Sequence, residues 1–280
     1  MDNLVNMKIG AIIQARYDSS RLRGKVLKNL PFDSEETVLS QIHSALAKSK
    51  ILDEIIIATS EESNDDIIVD YAKENNYIYV RGSKNNVLER FVKAIDERNL
   101  DVVVRITGDN PIVLIDILDA VLEKHIESKA NYTRNNNLPY GTSFEIVNAT
   151  VLNDIYNNKT TILEDQEHVT IYIKKHPNEF KIQEINHNLD PINMRFTVDY
   201  PSDYAVMNIL FQFLKKNNFN YNFDTLKTFV QQYEWVTDIN KNNLQKKQFK
   251  SINEEINNAI ELLDKLEYKN AKLILERYLF

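Results

Sequence analysis

The residues best equipped for chemistry lie in "GAIIQARYDSSRLRGKVL", residues 10–27, where an apolar run gives way to a loop carrying Arg16, Arg21, Arg23 and Lys25. Between positions 16 and 25 this loop also holds Ser19, Ser20 and Gly24. Guanidinium forks and an ammonium are donors suited to phosphate oxygens, and a glycine lets backbone approach a ligand closely. Taken alone, this composition fits either an anion cradle or a solvated basic loop. Asp109 in "RITGDNP" and Asp199 in "MRFTVDYPSDY" each stand where an apolar strand is expected to end. A single Asp in such a place is ordinarily a turn or cap residue. Two of them beside a basic loop form a donor set for Mg²⁺ shared with nucleotide phosphates, because Mg²⁺ takes one or two carboxylates plus phosphate oxygens and water.

Two common phosphate-binding loops are excluded. A Walker A loop requires Gly six residues before its Lys and Ser or Thr after it, but Ser19 and Val26 occupy those places around Lys25. No G-x-G-x-x-G turn occurs either.

The elements that must position these groups are legible as alternating periods. "KIGAIIQA" (8–15), "EIIIATS" (54–60), "YIYVRG" (77–82) and "DVVVRITGD" (101–109) are short Val/Ile-rich runs that predict buried strands. Between them 37–50, 64–76 and 86–99 space their apolar residues as helices do. The alternation predicts βαβ units, a parallel sheet and helices on both faces. Ligands of such sheets bind outside the carboxyl ends of the strands, near the point where strand order reverses. Further helices are expected at 115–128 and 201–216, the latter with Pro201 in its first turn and Asp203 near its positive end. "NYTRNN", "TSFEIVN", "EFKIQEIN" and "MRFTVDY" predict further strands, some antiparallel. In the tail, Ile252, Ile256, Ala259, Leu263 and Leu266, continued by Asn270 and Leu273, fall on one helical seam. That seam fits a helix packed on its own domain, or one that dimerises or binds a partner.

The chain has 280 residues with 34 Lys and Arg against 41 Asp and Glu, a net charge of −7. This acidity argues against general electrostatic binding to nucleic acid or to an anionic membrane. An anionic ligand therefore needs a local cluster such as the loop at 16–25. Cysteine is absent, which excludes thiol nucleophiles and thiolate metal sites and fits a cytoplasmic protein. No apolar run is long enough to span a membrane, and "MDNLVNM" lacks the pattern of a secretory signal.

In order along the chain, "AIIQARYDSSRLRGKVL", "DEIIIATS", "YVRGSKNNVLERF", "DVVVRITGDNP", "EDQEHVTIYI" and "RFTVDYPSDY" resemble successive motifs of the cytidylyltransferase family. The family includes acylneuraminate and KDO cytidylyltransferases, and the likeness is greatest to its spore-coat polysaccharide biosynthesis branch. It runs from about residue 8 to about residue 215. It implies a Rossmann-like, GT-A-like nucleotidyltransferase fold of three α/β/α layers with a mostly parallel central sheet. Residues 1–238 would form that domain and 239–280 a C-terminal helical extension.

By the same resemblance Arg16, Lys25 and Asp109 would be catalytic. Gln14, Ala15, Arg16, Ser19, Ser20, Arg21, Lys25, Arg81, Ser83 and Thr107 would contact the nucleotide. Arg90, Glu145, Glu167 and His168 would lie on the acceptor side, and Asp109 and Asp199 would hold Mg²⁺. The implied reaction is transfer of CMP from CTP to a sugar, sugar acid or phosphorylated small molecule for surface glycan synthesis, by a cytoplasmic enzyme for which a homodimer is one expected assembly. A guanylyl- or uridylyltransferase, and a non-catalytic nucleotide-binding scaffold, remain alternatives. The chain departs from the family pattern at Arg23, where Pro is usual, and at Tyr17-Asp18, which replaces a Met-Gly type pair. Asn110 replaces Cys, Ser143 replaces Asp and Gln166 replaces Arg. The triphosphate and metal positions survive these changes, whereas the acceptor side is altered.

Overall fold

The computed structural model describes residues 7–243 and 251–277. The leader question concerns residues 1–7 and so falls almost wholly outside that range. The chain divides into two compact units, Met1–Asn242 and Asn243–Phe280.

In the first unit the apolar runs form strands β1 (Ile9–Gln14), β2 (Glu54–Ser60), β3 (Ile78–Gly82) and β4 (Val102–Thr107). They are joined by helices α1 (Val38–Leu46), α2 (Asp66–Glu74) and α3 (Val87–Arg98). Helix α4 (Ile115–Ser128) leads to β5 (Tyr132–Asn136) and β6 (Glu145–Asn148). Then come α5 (Ala149–Asn158), α6 (Leu163–Glu167), α7 (Ile171–Lys175) and β7 (Ile182–Asn186). The unit closes with α8 (Pro201–Lys216), α9 (Phe223–Gln232) and α10 (Val236–Asn240). One-turn 3₁₀ helices stand at Lys25–Leu27 and Ser63–Asp65.

The seven strands run β3-β2-β1-β4-β6-β5-β7, and only β6 pairs antiparallel to its neighbours. From β1 the chain winds outward through β2 and β3, then returns to place β4 on the other side of β1. Strand order therefore reverses between β1 and β4, where Gln14 pairs with Thr107. The loops that begin with Ala15 and Gly108 leave the sheet together at this point.

Strand alternation feeds two apolar layers. Ile9, Ala11 and Ile13 join α1, α4 and α8 in one core, while Ile12 joins α3, α5 and α7 in the other. Thr37 caps α1 by accepting from the Ser40 amide, and Asn86 caps α3 by accepting from that of Glu89.

Two sequence expectations change. Residues 194–198 of "MRFTVDY" are extended but form no strand. Instead the Phe196 amide donates to the Tyr140 carbonyl and that of Val198 to the Asp109 carbonyl, at 2.8 Å each. Met194, Phe196 and Val198 are nonetheless buried, which is the alternation the sequence displays.

In the second unit the seam is not one helix. It breaks into α11 (Ile252–Lys265) and α12 (Lys269–Glu276), with Glu267 left-handed at φ 58°. The Tyr268 amide closes the end of α11 on the Leu263 carbonyl. Neither helix contains a buried residue.

Candidate nucleotide and metal site

The loop after β1 is tied down at its base. The Tyr17 amide donates to Asp65 Oδ1 at 2.7 Å, and Asp65 Oδ2 also accepts from the amide and hydroxyl of Ser60 at the end of β2. At its far end the Gly24 amide closes the loop on the Tyr17 carbonyl at 2.8 Å. Gly24 is left-handed at φ 66°, and a Cβ there would lie 2.8 Å from the Tyr17 ring. This closure delivers Lys25, the first residue of the 3₁₀ turn, toward the end of β4.

There the charges converge. Lys25 Nζ donates to Asp109 Oδ2 at 2.6 Å and to Asp199 Oδ1 at 2.9 Å. Arg21 reaches the other oxygen of Asp199, Oδ2, at 2.7 Å and lies over the Tyr200 ring. The Lys25 side chain is only 12 % exposed. Burial alone would lower its pKa, but the charge and hydrogen bond of Asp109, reinforced by those of Asp199, hold the ammonium above its ordinary value.

Both aspartates are fixed from behind. Asp109 offers its carbonyl to the Val198 amide, so the two acid-bearing segments are joined by backbone. The fully buried Asp203 of α8 accepts from the amides of Asp199 and Tyr200 at 3.3 and 3.1 Å. It is held in turn by Arg195 Nε at 3.2 Å and by the Asn240 amide group at 2.9 Å.

Other residues singled out from the sequence spread along the same sheet edge. Arg16 and Ser20 are exposed in the loop, Ser19 is half-buried and Ala15 is buried. Gln14 Oε1 accepts from Arg105 Nε at 3.1 Å, and the Thr107 hydroxyl accepts from Asn110 at 2.7 Å. Arg23 points away, 3.7 Å from Asp18 with both side chains solvated. Arg81 is spent on structure, donating to the carbonyls of Ser60 and Glu62 and pairing with Asp66 at 2.7 Å. The Ser83 hydroxyl accepts from the Asn86 amide at 3.2 Å. Arg90 is 1 % exposed, with one guanidinium nitrogen 3.5 Å from the Ala58 carbonyl and its Nε unpaired. The Ala15 amide donates to that same Ala58 carbonyl at 3.0 Å, which sets Arg90 directly behind the start of the loop.

On the acceptor side, Glu145 is largely buried and saturated with donors. Arg105 reaches it at 2.6 Å, Lys174 at 2.5 Å and the Thr170 hydroxyl at 2.9 Å, with the Tyr132 hydroxyl as a fourth partner. Burial would raise its pKa, but Arg105 and then Lys174 overcome this and hold the carboxyl far below the usual range. The same burial and the adjacent charge push the Tyr132 phenol far up. Thr170 and Lys174 bring the "EHVT" segment to Glu145, with Glu167 exposed and His168 half-buried at the end of α6.

Sequence reasoning missed Asp65, and it passed over Arg105 and Lys174. A charged residue inside the apolar run "VVVRIT" is the one available signal for Arg105. Asp65 has none, since its partners lie in the loop after β1 and at the end of β2.

Two carboxylates aimed at one cation position, held from behind by backbone and by Asp203, fit a divalent ion. The Lys25 ammonium stands in for it here. Among the described residues no group of three or more acidic, His or Cys side chains is placed to hold a metal. An ion at Asp109 and Asp199 must therefore complete its shell with phosphate oxygens and water.

Comparison with known proteins matches this architecture to a family. Residues 10–256 match the family model described as cytidylyltransferase, and the chain belongs to that family. It is a nucleotidyltransferase, and the reaction its family performs is CMP transfer from CTP. The spore coat polysaccharide biosynthesis protein SpsF of Bacillus subtilis (strain 168) is 37 % identical over 206 residues, covering 72 % of this chain and 85 % of that protein. A cytidylyltransferase structure from Leptospira borgpetersenii serovar Hardjo-bovis superposes with a TM-score of 0.76 at 25 % identity, covering 86 % of this chain and all of that one. The CMP:2-keto-3-deoxy-manno-octonic acid synthetase complexed with CTP shares the fold at a TM-score of 0.56 and 12 % identity, over 73 % of this chain and 98 % of its own. The scaffold alternative is thereby closed, and the mostly parallel, helix-flanked sheet is the nucleotidyltransferase fold expected from the sequence. No helix among the described residues is long and apolar enough to cross a membrane.

Proposed function

We propose that this protein is a Mg²⁺-dependent cytidylyltransferase that activates an anionic sugar or phosphorylated small molecule for surface polysaccharide synthesis. The observation that carries this reading is the meeting of Lys25, Arg21, Asp109 and Asp199 at the point where strand order reverses. The likeness to SpsF supports the polysaccharide role.

In the reaction an acceptor oxygen attacks the α-phosphorus of CTP, the bond to the bridging oxygen breaks, and pyrophosphate leaves. Arg16, Arg21 and Lys25 bind the phosphate oxygens and offset the charge that grows on the leaving group. Asp109 and Asp199 would hold Mg²⁺, which would supply Lewis-acid polarisation and charge neutralisation at the phosphates. Asp203 and the Val198 amide keep these carboxylates in place, so little reorganisation is needed when charge develops. No protein nucleophile is required.

Glu145 already accepts from four donors, so we read it as the residue that orients Arg105 and Lys174. Two cations on one carboxylate leave that cluster with net positive charge, which favours an anionic acceptor. Arg81 and Ser83 serve the nucleotide side by holding backbone around it, and Thr107 by holding the Asn110 side chain. Glu167 and His168 remain candidates for acceptor contact.

The test is a pyrophosphate-release screen crossing CTP, UTP, GTP and ATP with sugar acids, sugar phosphates and neutral sugars. CTP-dependent release with an anionic acceptor is expected. Release with UTP or GTP alone would overturn the base assignment, and release only with neutral sugars would overturn the acceptor class.

A further inference from the structure

The position between Asp109 and Asp199 is not open to a free ion. Lys25 Nζ lies 2.6 Å from one carboxylate and 2.9 Å from the other, and Arg21 takes the remaining oxygen of Asp199 at 2.7 Å. An incoming divalent ion on its own must displace an ammonium bonded to both of its ligands and would face its charge at close range. The displaced ammonium sits half-buried on a 3₁₀ turn, and among the described residues its ion pairs are with these two aspartates. A charged group so stranded is costly. When the ion arrives with a triphosphate, the phosphate oxygens give Lys25 and Arg21 new partners as they leave the aspartates.

We propose that Lys25 is an internal counter-cation, so that the ligand of this site is the metal–nucleotide complex and not the free metal. The inference rests on the nucleotide reading above and adds to it an obligatory coupling. Lys25 holds the two carboxylates together while the site is empty, excludes a lone divalent ion, and moves to phosphate when the complex binds. The same side chain thus preserves the site at rest and makes metal entry conditional on nucleotide. Arg21 follows the same path from Asp199, with Tyr200 as the face it slides across.

The experiment titrates Mn²⁺ into the full chain and follows free Mn²⁺ by electron paramagnetic resonance. Three samples are compared: wild type alone, wild type with α,β-methylene-CTP, and Lys25→Met alone, its fold checked by circular dichroism. Wild type alone should bind Mn²⁺ at least about tenfold more weakly than Lys25→Met alone, which corresponds to about 1.4 kcal/mol. Wild type with the analogue should bind it at least as tightly as the variant does. Equal Mn²⁺ affinity for wild type alone and Lys25→Met overturns the proposal. Should Lys25→Met not fold, the two wild-type samples decide, each corrected for the Mn²⁺ that the analogue chelates in buffer: equal affinity with and without the analogue overturns the counter-cation, and a rise beyond that chelation supports it. Failure of the nucleotide reading shows differently, as no thermal stabilisation by the analogue in any sample, while the Mn²⁺ arms without nucleotide still judge Lys25.

Discussion

The Gly108 amide donates to the Gln14 carbonyl at 2.9 Å, stitching the loop after β4 to the last residue of β1. A Cβ on Gly108 would lie 2.8 Å from that carbonyl oxygen and 3.1 Å from the Ala15 Cβ. The two loops that carry Lys25 and Asp109 thus leave the sheet in direct contact, and only glycine permits the approach. Gly108→Ala is expected to separate them, costing about 1–3 kcal/mol of stability as overpacking does and lowering kcat at least tenfold. Urea denaturation and pyrophosphate release check the two halves of this prediction.

Asp203 tests how Asp199 is held. Removing one partner of a buried ion pair costs about 3–5 kcal/mol, because the other charge is stranded. Asp203→Ala should lose that much in chemical denaturation and should also weaken CTP binding in the presence of Mg²⁺. Much of the stability should return in Arg195→Met/Asp203→Leu, which leaves no buried charge, but the nucleotide affinity should not.

Arg90 should behave in the opposite sense. Its guanidinium is buried with no carboxylate ion pair among the described residues, and burial together with the nearby Arg16 pushes its pKa down to about 10. Arg90→Met removes that strain, so the free protein should be no less stable than wild type in a thermal melt. The loop loses a positive charge directly behind Ala15, so the KM for CTP should rise severalfold. A stability loss with unchanged KM would show Arg90 to be structural only.

Glu145 gives a pH signature. Its folded pKa lies far below the ordinary Glu value of 4.5, so its contribution to stability is fully present above that value. The contribution is lost as pH falls from about 4.5 toward the folded pKa, because the unfolded chain then binds the proton more readily. Wild type should therefore lose stability across that window more steeply than Glu145→Gln, as read by denaturation midpoints from pH 6 downward. Parallel curves would contradict the network.

The parts of this architecture legible in the sequence are those set by local pattern. Val/Ile runs such as "EIIIATS" and the helical spacing of 86–99 mark β2 and α3 because each buries a face that its own residues define. Asp109 and Asp199 stood out as carboxylates directly after apolar runs, and Lys25 as part of a basic loop that follows one. The alternation in "MRFTV" predicts a strand, yet its bonds go to single carbonyls of Tyr140 and Asp109, a pairing that depends on loops elsewhere. The partners of Glu145 come from β4, β5, α7 and the turn before it, so no spacing rule finds them. The break at Glu267 was hidden for another reason, since a seam that remains in phase across a turn looks continuous on paper.

The central claim, that Asp109 and Asp199 take a divalent ion together with CTP, is tested most directly by thermal melts of wild type and Asp109→Asn with CTP, with and without Mg²⁺. Binding stabilises by RT ln(1 + [L]/Kd), about 2.7 kcal/mol at a hundredfold excess over Kd. Wild type should be stabilised strongly by CTP with Mg²⁺ and weakly by CTP alone, and Asp109→Asn should lose the Mg²⁺-dependent part. An equal Mg²⁺-dependent shift in Asp109→Asn would contradict the assignment of Asp109 to the metal.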